Sequence, residues 1–263
     1  MPPSGSPVAR PAPGPCVDGV LLDIDDTLVD TRRAFFAAIH AVSADWLSHL
    51  PQAGRDDVAR RWIADVGGHF RTYTRGEISI AEQRRRRVDD LQQTFGGDHL
   101  DDERFDEWFA TYDAAFRAAW RLHDDALELL NRLEQAGVRF GALSNSSRAL
   151  SIDKLARLGL TDRLPLLVSP DDLGFGKPDP RVFALACRRL GTEPARTAYV
   201  GDELDVDAQG ARAAGLVGIW LDRPGQRSAH ASRLITSTEG VLVANGLGDL
   251  SVLLDLGGPS ARR

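Results

Sequence analysis

The spacing of apolar residues divides the chain into two kinds of structure. Residues 17–24 form a short apolar run that ends in acidic residues, which predicts a buried strand followed by a turn. From residue 31 to residue 122, apolar side chains recur at intervals of three and four, which predicts amphipathic helices. After His123, predicted helices alternate with the apolar segments VRFGALS, LPLLVS, TAYVG and VGIWL. This alternation predicts a parallel sheet with crossover helices.

Glycines mark the ends of the predicted helices in the second half of the chain. A left-handed residue commonly ends a helix, and glycine adopts that conformation without steric cost. The four positions are Gly137, Gly159, Gly191 and Gly215. We also expect a closing helix at residues 247–256 and a further strand near residues 233–236.

The first predicted strand must join the later strands in one sheet, so residues 31–122 form an insertion after that strand. We therefore expect an α/β fold with a Rossmann-like, doubly wound parallel sheet as its core. The core domain comprises residues 17–30 and 123–258, and the insertion forms a helical cap domain at residues 31–122. Residues 1–16 are rich in proline and predict a disordered tail.

Composition and charge exclude several classes of function. The 263 residues carry a formal net charge of −6, which lacks the basic excess typical of proteins that bind duplex nucleic acid. The sequence shows no secretory signal and no apolar run of the roughly 18 residues that a membrane span needs. Two cysteines, Cys16 and Cys187, cannot build a disulfide framework, which fits a reducing compartment. We expect a cytoplasmic protein with a small-molecule ligand and neither a nucleic-acid duplex nor a membrane as a partner.

Acidic residues follow two of the predicted strands. Asp23 and Asp25 come directly after the first strand, where open α/β sheets bind ligands, and crowded carboxylates need a compensating cation. Asp202 and Asp207 follow TAYVG and suit a hard cation and the groups around it. Taken alone, each segment is also compatible with an acidic turn, in which an aspartate of the first segment would cap a helix.

Two other segments supply groups suited to a phosphate. Ser144 and the backbone N–H groups near it lie at a predicted helix N-terminus, although Ser144 alone is also compatible with a simple helix cap. Lys177 precedes Pro178 in a rigid turn, where its ammonium group can neutralise a phosphoryl group or remain an exposed loop lysine. All four segments lie on the same predicted edge of one sheet, which favours one shared site over four unrelated turns.

Together these segments resemble the four ordered motifs of the haloacid dehalogenase superfamily, and they span nearly the whole chain. The motifs read Asp23-x-Asp25-x-Thr27, Ser144, Lys177-Pro178 and Gly201-Asp202-x-x-x-x-Asp207. The resemblance implies that Asp23 attacks phosphorus to form an aspartyl phosphate. It further implies that Asp25 protonates the leaving alcohol and later takes a proton from the attacking water.

The same resemblance implies Mg²⁺ as the cofactor. Asp23, the backbone carbonyl of Asp25 and Asp202 would bind the ion together with water molecules, and Asp207 would lie just outside these ligands.

The resemblance also implies roles for four other residues. Ser144 and Asn145 would bind substrate, with the Ser144 hydroxyl on a phosphoryl oxygen. Lys177 would bind the phosphoryl group and offset the charge on the nucleophile, and Thr27 would shape the first loop.

We therefore expect a Mg²⁺-dependent phosphohydrolase acting on a small phosphorylated metabolite, such as a sugar phosphate or a nucleoside monophosphate. Asp25 favours phosphoryl chemistry over dehalogenation, because a halide leaving group needs no proton. A phosphomutase or phosphotransferase acting on a sugar phosphate would use the same core residues, and the core does not separate it from a hydrolase. The long insertion and Asp25 oppose a phospho-signalling module. The presence of all the acting groups opposes a non-catalytic phospho-ligand-binding protein.

Two positions depart from the family pattern: Asp26, where many members have glycine, and Glu203, where a small residue is common. The cap contains an arginine run at residues 84–87, of which a helix can turn at most two toward the cleft. Arg71 and Arg75, on another shared face, are further candidates for binding an anionic part of the substrate. An aromatic stripe at Trp108, Tyr112, Phe116 and Trp120 predicts packing within the cap. Such apolar surfaces are compatible with either a monomer or a homodimer.

Overall fold

Parallel strands form the centre of the fold. A computed structural model describes residues 16–224, 238 and 240–256. Within these residues the strands are β1 (Gly19–Leu22), β2 (Arg139–Leu143), β3 (Leu167–Val168), β4 (Thr197–Gly201), β5 (Val217–Leu221) and β6 (Leu242–Ala244). They form one six-stranded sheet in the order β3-β2-β1-β4-β5-β6, and every neighbouring pair is parallel. This confirms the predicted α/β fold class.

Five helices make up the insertion that follows β1. They are α1 (Thr31–Trp46), α2 (Gln52–Ile63), α3 (His69–Thr74), α4 (Ile80–Phe95) and α5 (Asp102–Ala118). These helices surround a hydrophobic cluster of their own, which includes the predicted aromatic stripe, buried along its whole length. Helix α3 was not predicted, because its six residues are too few to show a helical spacing of apolar side chains.

The two connections between the helical insertion and the sheet lie side by side. Val29 forms an antiparallel bridge with Leu122, and the Asp30 N–H donates to the Arg121 carbonyl over 3.0 Å. The Arg121 and Asp30 side chains form an ion pair at 2.8 Å, and Asp30 also accepts a hydrogen bond from the Arg33 N–H at the start of α1. The insertion is therefore joined to the sheet through two paired segments.

Helices cover both faces of the sheet. The remaining helices are α6 (Ala126–Gln135), α7 (Arg148–Arg157), α8 (Pro180–Leu190), α9 (Gln209–Ala213) and α10 (Leu250–Leu253). Val20 and Leu22 pack in one cluster with residues of α6, α7 and α10, whereas Leu21 packs in another with residues of α8 and α9. Alternate side chains of β1 thus point to opposite helical layers, as the geometry of a strand requires.

Several local predictions can be compared with the structure. The four glycines predicted to end helices all have positive φ, between +63° and +86°. The predicted helix at residues 247–256 is too long, because a 3₁₀ turn occupies Leu247–Asp249 and α10 covers only four residues. Strand β6 was not predicted, and the strand predicted near residues 233–236 lies outside the described residues. Among the described helices, none has the length and apolar character to cross a membrane.

Candidate active site

The four predicted motifs meet at one edge of the sheet. Asp23 follows β1, Ser144 follows β2, Lys177 lies in the loop after β3, and Asp202 follows β4. All four line one cavity of about 550 Å³, whose opposite wall is formed by residues of the helical insertion. In the sheet β1 lies between β2 and β4, and the chain crosses from β3 to β4 on the other side of β1. The site therefore lies at the point where the strand order reverses, which is the usual ligand crevice of such sheets.

The Lys177 ammonium group is held by three oxygens. Its Nζ donates to Asp23 Oδ1 over 2.7 Å, to Asp207 Oδ1 over 2.7 Å and to the Tyr199 hydroxyl over 2.6 Å. The Tyr199 hydroxyl donates in turn to the Leu143 carbonyl over 2.8 Å. Burial alone would lower the pKa of Lys177, but the carboxylates of Asp207 and Asp23 raise it above its ordinary value. A fixed positive charge therefore lies against Asp23.

Carboxylates outnumber cations beside this lysine. Asp23, Asp202 and Asp207 each offer an oxygen, and these oxygens lie within 4.8 Å of one another. Burial raises the pKa of Asp23 to about 8; Lys177 opposes this rise and the charges of Asp207 and Asp25 add to it. Burial and the neighbouring carboxylates also raise the pKa of Asp202 well above its ordinary value. Crowded hard oxygen donors with excess negative charge fit a divalent cation such as Mg²⁺.

Asp207 has both carboxylate oxygens engaged. Oδ1 accepts from Lys177, and Oδ2 accepts from the Glu203 N–H over 2.9 Å. The carboxylate packs against the end of β4, where a Cβ on Gly201 would lie 2.3 Å from its carbon and one of its oxygens. Glycine at position 201 therefore leaves the room that Asp207 occupies.

Asp25 accepts hydrogen bonds from three side chains. The Thr31 hydroxyl donates to Oδ1 over 2.6 Å, the Ser146 hydroxyl donates to Oδ2 over 2.8 Å, and the Lys154 ammonium group also donates to Oδ1. Burial raises the pKa of Asp25, but the charge of Lys154 and the hydrogen bonds from Lys154, Thr31 and Ser146 outweigh burial and lower it. These contacts stabilise the ionised carboxylate.

Lys154 was not predicted, although the sequence contained a signal for it. The side chain is fully buried, on the same face of α7 as the buried Ser151 and Leu155. A lysine on the apolar face of a predicted helix is unusual, because a buried ammonium group needs a charged partner. Here that partner is Asp25.

Asp26 departs from the family pattern without disturbing the loop. Its φ is +55°, a left-handed conformation that glycine adopts freely and that aspartate tolerates better than most residues. The Arg32 N–H donates to its carboxylate over 2.6 Å. This hydrogen bond supports aspartate at a position where many members of the family have glycine.

The remaining predicted site residues lie in different surroundings. Ser144 Oγ accepts from the Ser146 N–H over 3.1 Å and lines the cavity. The side-chain amide of Asn145 donates to the Lys177 carbonyl over 3.0 Å and accepts from the Lys177 N–H over 2.7 Å, so it holds the lysine loop. Thr27 lies outside the cavity lining, and its buried hydroxyl has no hydrogen-bond partner among the described residues.

The helical insertion touches the loops of the site directly. Arg71 Nη1 forms an ion pair with Asp205 Oδ2 at 2.9 Å, and the Gly176 N–H donates to the Thr74 carbonyl over 2.6 Å. Arg75 instead pairs with Glu77, a neighbour within the insertion. Residues 71–76 therefore hold the insertion against the loops that follow β3 and β4.

Comparison with known proteins identifies the family of the chain. The model of the haloacid dehalogenase-like hydrolase family matches residues 17–215. N-acetylmuramic acid 6-phosphate phosphatase of Pseudomonas aeruginosa is 32% identical over 197 residues, which are 74% of this chain and 77% of the relative. Glyceraldehyde 3-phosphate phosphatase of Methanopyrus kandleri is 28% identical over 208 residues, 79% of this chain and 84% of the relative. The magnesium-bound hydrolase YfnB from Bacillus subtilis shares the fold, with a TM-score of 0.74 and 22% identity over 91% of this chain and 99% of that one.

The chain belongs to the haloacid dehalogenase-like hydrolase family, because the family model covers most of it and the motif residues converge on one cavity. Within that family it is a phosphatase, as are the curated relatives that match most of its length.

Proposed function

We propose that this protein is a Mg²⁺-dependent phosphohydrolase that removes phosphate from a small phosphorylated metabolite through an aspartyl phosphate on Asp23. One observation carries the proposal: the Asp23 carboxylate lies 2.7 Å from the Lys177 ammonium group, on the wall of the cavity between the sheet edge and the helical insertion. A carboxylate paired in this way can approach a phosphoryl group whose charge the same lysine offsets.

The reaction proceeds in two displacements. A carboxylate oxygen of Asp23 attacks phosphorus, the bond between phosphorus and the ester oxygen breaks, and the leaving oxygen takes a proton from Asp25. Water then attacks the phosphorus of the aspartyl phosphate while Asp25 accepts its proton. Inorganic phosphate leaves, and the Asp23 carboxylate is regenerated. The proton that Asp25 accepts from water in the second step is the one it gives to the next leaving group, and its contact with the Lys154 ammonium group favours the ionised form that can accept that proton.

Mg²⁺, when bound, would offset negative charge on the Asp23 carboxylate and on the phosphoryl oxygens. Asp23, Asp202 and the backbone carbonyl of Asp25 would hold it. Asp207 fits a supporting role, since both of its carboxylate oxygens already accept hydrogen bonds. The Ser144 hydroxyl would donate to a phosphoryl oxygen, and Asn145 would keep Lys177 in place.

The helical insertion acts as the cap of the site. It forms the far wall of the cavity, so it would exclude bulk water during attack on phosphorus. A cavity of about 550 Å³ suits a small metabolite, and the relatives named above are phosphatases of N-acetylmuramic acid 6-phosphate and of glyceraldehyde 3-phosphate.

Phosphate release tests this proposal. The substrates are sugar phosphates, nucleoside monophosphates and three-carbon phosphoesters, each with Mg²⁺ and with the metal removed by a chelator. We compare the native protein with Asp23→Asn and with a matched control, Asp162→Asn, which changes an exposed aspartate outside the cavity. Release that requires Mg²⁺, persists in the control and disappears in Asp23→Asn is expected. Release that survives in Asp23→Asn overturns the proposal, and transfer of phosphate to a second sugar hydroxyl would indicate a mutase.

A further inference from the structure

One face of α4 forms part of the cavity wall. Ile80, Gln83, Arg84 and Arg87 all line the cavity, and their spacing of three, four and seven residues places them on the same side of the helix. This face looks across the cavity from the edge of the sheet that carries Asp23. It therefore contacts the part of a substrate that lies beyond the phosphoryl group.

The neighbouring arginines of α4 already have partners. Arg86 faces outward and pairs with Glu82 at 2.6 Å. Arg87 donates to the Trp62 carbonyl over 2.5 Å, and its guanidinium lies 3.7 Å from the centre of the Trp62 ring. These groups are used by the fold, so neither is free to bind a ligand.

Arg84 differs from its neighbours. Its guanidinium lies over the Phe109 ring at 4.6 Å, and it has no hydrogen bond or ion pair among the described residues. Asp113 has the strongest electrostatic effect of any carboxylate on Arg84, but that carboxylate already accepts from Arg117 Nε over 2.6 Å. A half-buried guanidinium thus faces the cavity with its donors unused.

Gln83 lies beside it in a similar state. The residue is only 4% exposed and lines the cavity, and within the described part of the chain its amide makes no hydrogen bond. Both side chains line the cavity, so both can donate hydrogen bonds to a ligand there. The planar guanidinium, oriented by stacking on Phe109, presents two parallel donors that match a carboxylate or a phosphate.

We infer that Gln83 and Arg84 bind a second anionic group of the substrate, so that the preferred substrate is a phosphomonoester that also carries a carboxylate or another phosphate. The inference rests on the proposed function, because the phosphoryl group held near Asp23 fixes the other end of the substrate. Apolar side chains such as Phe35 and Phe70 line the same cavity and would contact the body of the molecule between its two charged ends.

Matched pairs of substrates test the inference. Two pairs differ by a carboxylate: N-acetylmuramic acid 6-phosphate with N-acetylglucosamine 6-phosphate, and 3-phosphoglycerate with glycerol 3-phosphate. A third pair, fructose 1,6-bisphosphate with fructose 6-phosphate, differs by a phosphate. We expect kcat/KM to favour the acidic member of at least one pair by about tenfold to a hundredfold, the range of a lost charge-assisted contact. Preference in the carboxylate pairs alone identifies a carboxylate, and preference in the bisphosphate pair alone identifies a phosphate.

Arg84→Met should abolish that preference, because it should lower kcat/KM on the acidic member about tenfold or more beyond any effect on the neutral member. Arg84→Lys should restore part of it, and Arg86→Met, which removes an outward-facing arginine of the same helix, should keep all of it. An acid-to-neutral ratio that Arg84→Met leaves unchanged, including a ratio of one in the native protein, overturns the inference.

Binding separates this inference from the proposed function. The dissociation constants of the same pairs are measured by calorimetry with Asp23→Asn, alone and combined with Arg84→Met. If the native protein releases no phosphate but binding still favours the acidic member and depends on Arg84, the proposed function fails and the anion site stands. If phosphate is released with no dependence on Arg84 in turnover or binding, the anion site fails and the proposed function stands.

Discussion

Replacing Lys154 with methionine tests how the Asp25 carboxylate is held. The substitution removes the ammonium group, which contacts Asp25 Oδ1 and lies over the Phe116 and Trp120 rings, and it keeps most of the aliphatic chain. Removing one partner of a fully buried ion pair costs about 3–5 kcal/mol of stability. The Lys154 side chain is 1% exposed but that of Asp25 is 27% exposed, so solvent screening should reduce the loss to about 2–3 kcal/mol near pH 7.

The loss should depend on pH in a defined direction. In the native protein the pKa of Asp25 is lowered, so its ionised form stabilises the fold above the unfolded pKa, and this contribution is lost as pH falls through the folded pKa. In Lys154→Met, burial is opposed only by hydrogen bonds, and the pKa of Asp25 should rise above its ordinary value. The mutant then avoids the penalty of a buried charge by binding a proton. The difference in stability between the two proteins should therefore narrow from near pH 7 toward about pH 5.

Urea unfolding at the two pH values measures this difference in the free energy of unfolding. The slope of that free energy against urea concentration is compared between the two proteins. A double-mutant cycle compares Lys154→Met, Asp25→Asn and the double variant Asp25→Asn/Lys154→Met with the native protein. We expect a coupling free energy of about 2 kcal/mol between the two residues. Additive losses, or a loss from Lys154→Met that is equal at both pH values, would show that the ammonium group does not hold the carboxylate.

Two other substitutions probe the loops that position the site. Gly76→Ala places a Cβ 2.4 Å from the Gly174 carbonyl oxygen at a φ of +76°, so it should weaken cap closure and lower kcat/KM by about tenfold. Gly68→Ala is the matched control, because its φ of +67° gives similar backbone strain but its Cβ would meet nothing within 4 Å. This control should lower thermal stability and leave kcat/KM nearly unchanged. Equal kcat/KM for the two alanine variants would contradict a role for this contact. Asn145→Ala removes both hydrogen bonds to the Lys177 backbone and should lower kcat by about tenfold to a hundredfold in steady-state assays, whereas an unchanged kcat would mean that Lys177 is held without it.

The sequence predicts the residues at the strand ends better than those that support them. Asp23 and Lys177 could be placed because parallel strands bring their carboxyl ends to one edge, whatever the length of the chain between them. Tyr199, whose hydroxyl accepts from Lys177, lies within an apolar strand and is indistinguishable in sequence from a packing residue. Lys154 contacts Asp25 across 129 positions of sequence separation, which no spacing rule reveals.

The arginine run in α4 shows the same limit on a smaller scale. Helical geometry predicts that at most two of its four members face the cleft, and in the structure Arg84 and Arg87 line the cavity. Periodicity could not show which of the two is satisfied within the protein. That distinction depends on residues of other helices. Trp62, in α2, engages Arg87. Arg117, in α5, engages Asp113, which leaves Arg84 without a partner among the described residues.

The most direct test of the account is chemical trapping of the phosphoryl group on Asp23. The protein is mixed with a substrate and Mg²⁺, quenched within a turnover and treated with borohydride, which reduces an acyl phosphate to an alcohol and converts the aspartate to homoserine. Peptide mass spectrometry should find homoserine at position 23 only when substrate was present, and none in Asp23→Asn. Steady phosphate release with an unmodified Asp23, or with the label on another carboxylate, would contradict an aspartyl phosphate at this residue.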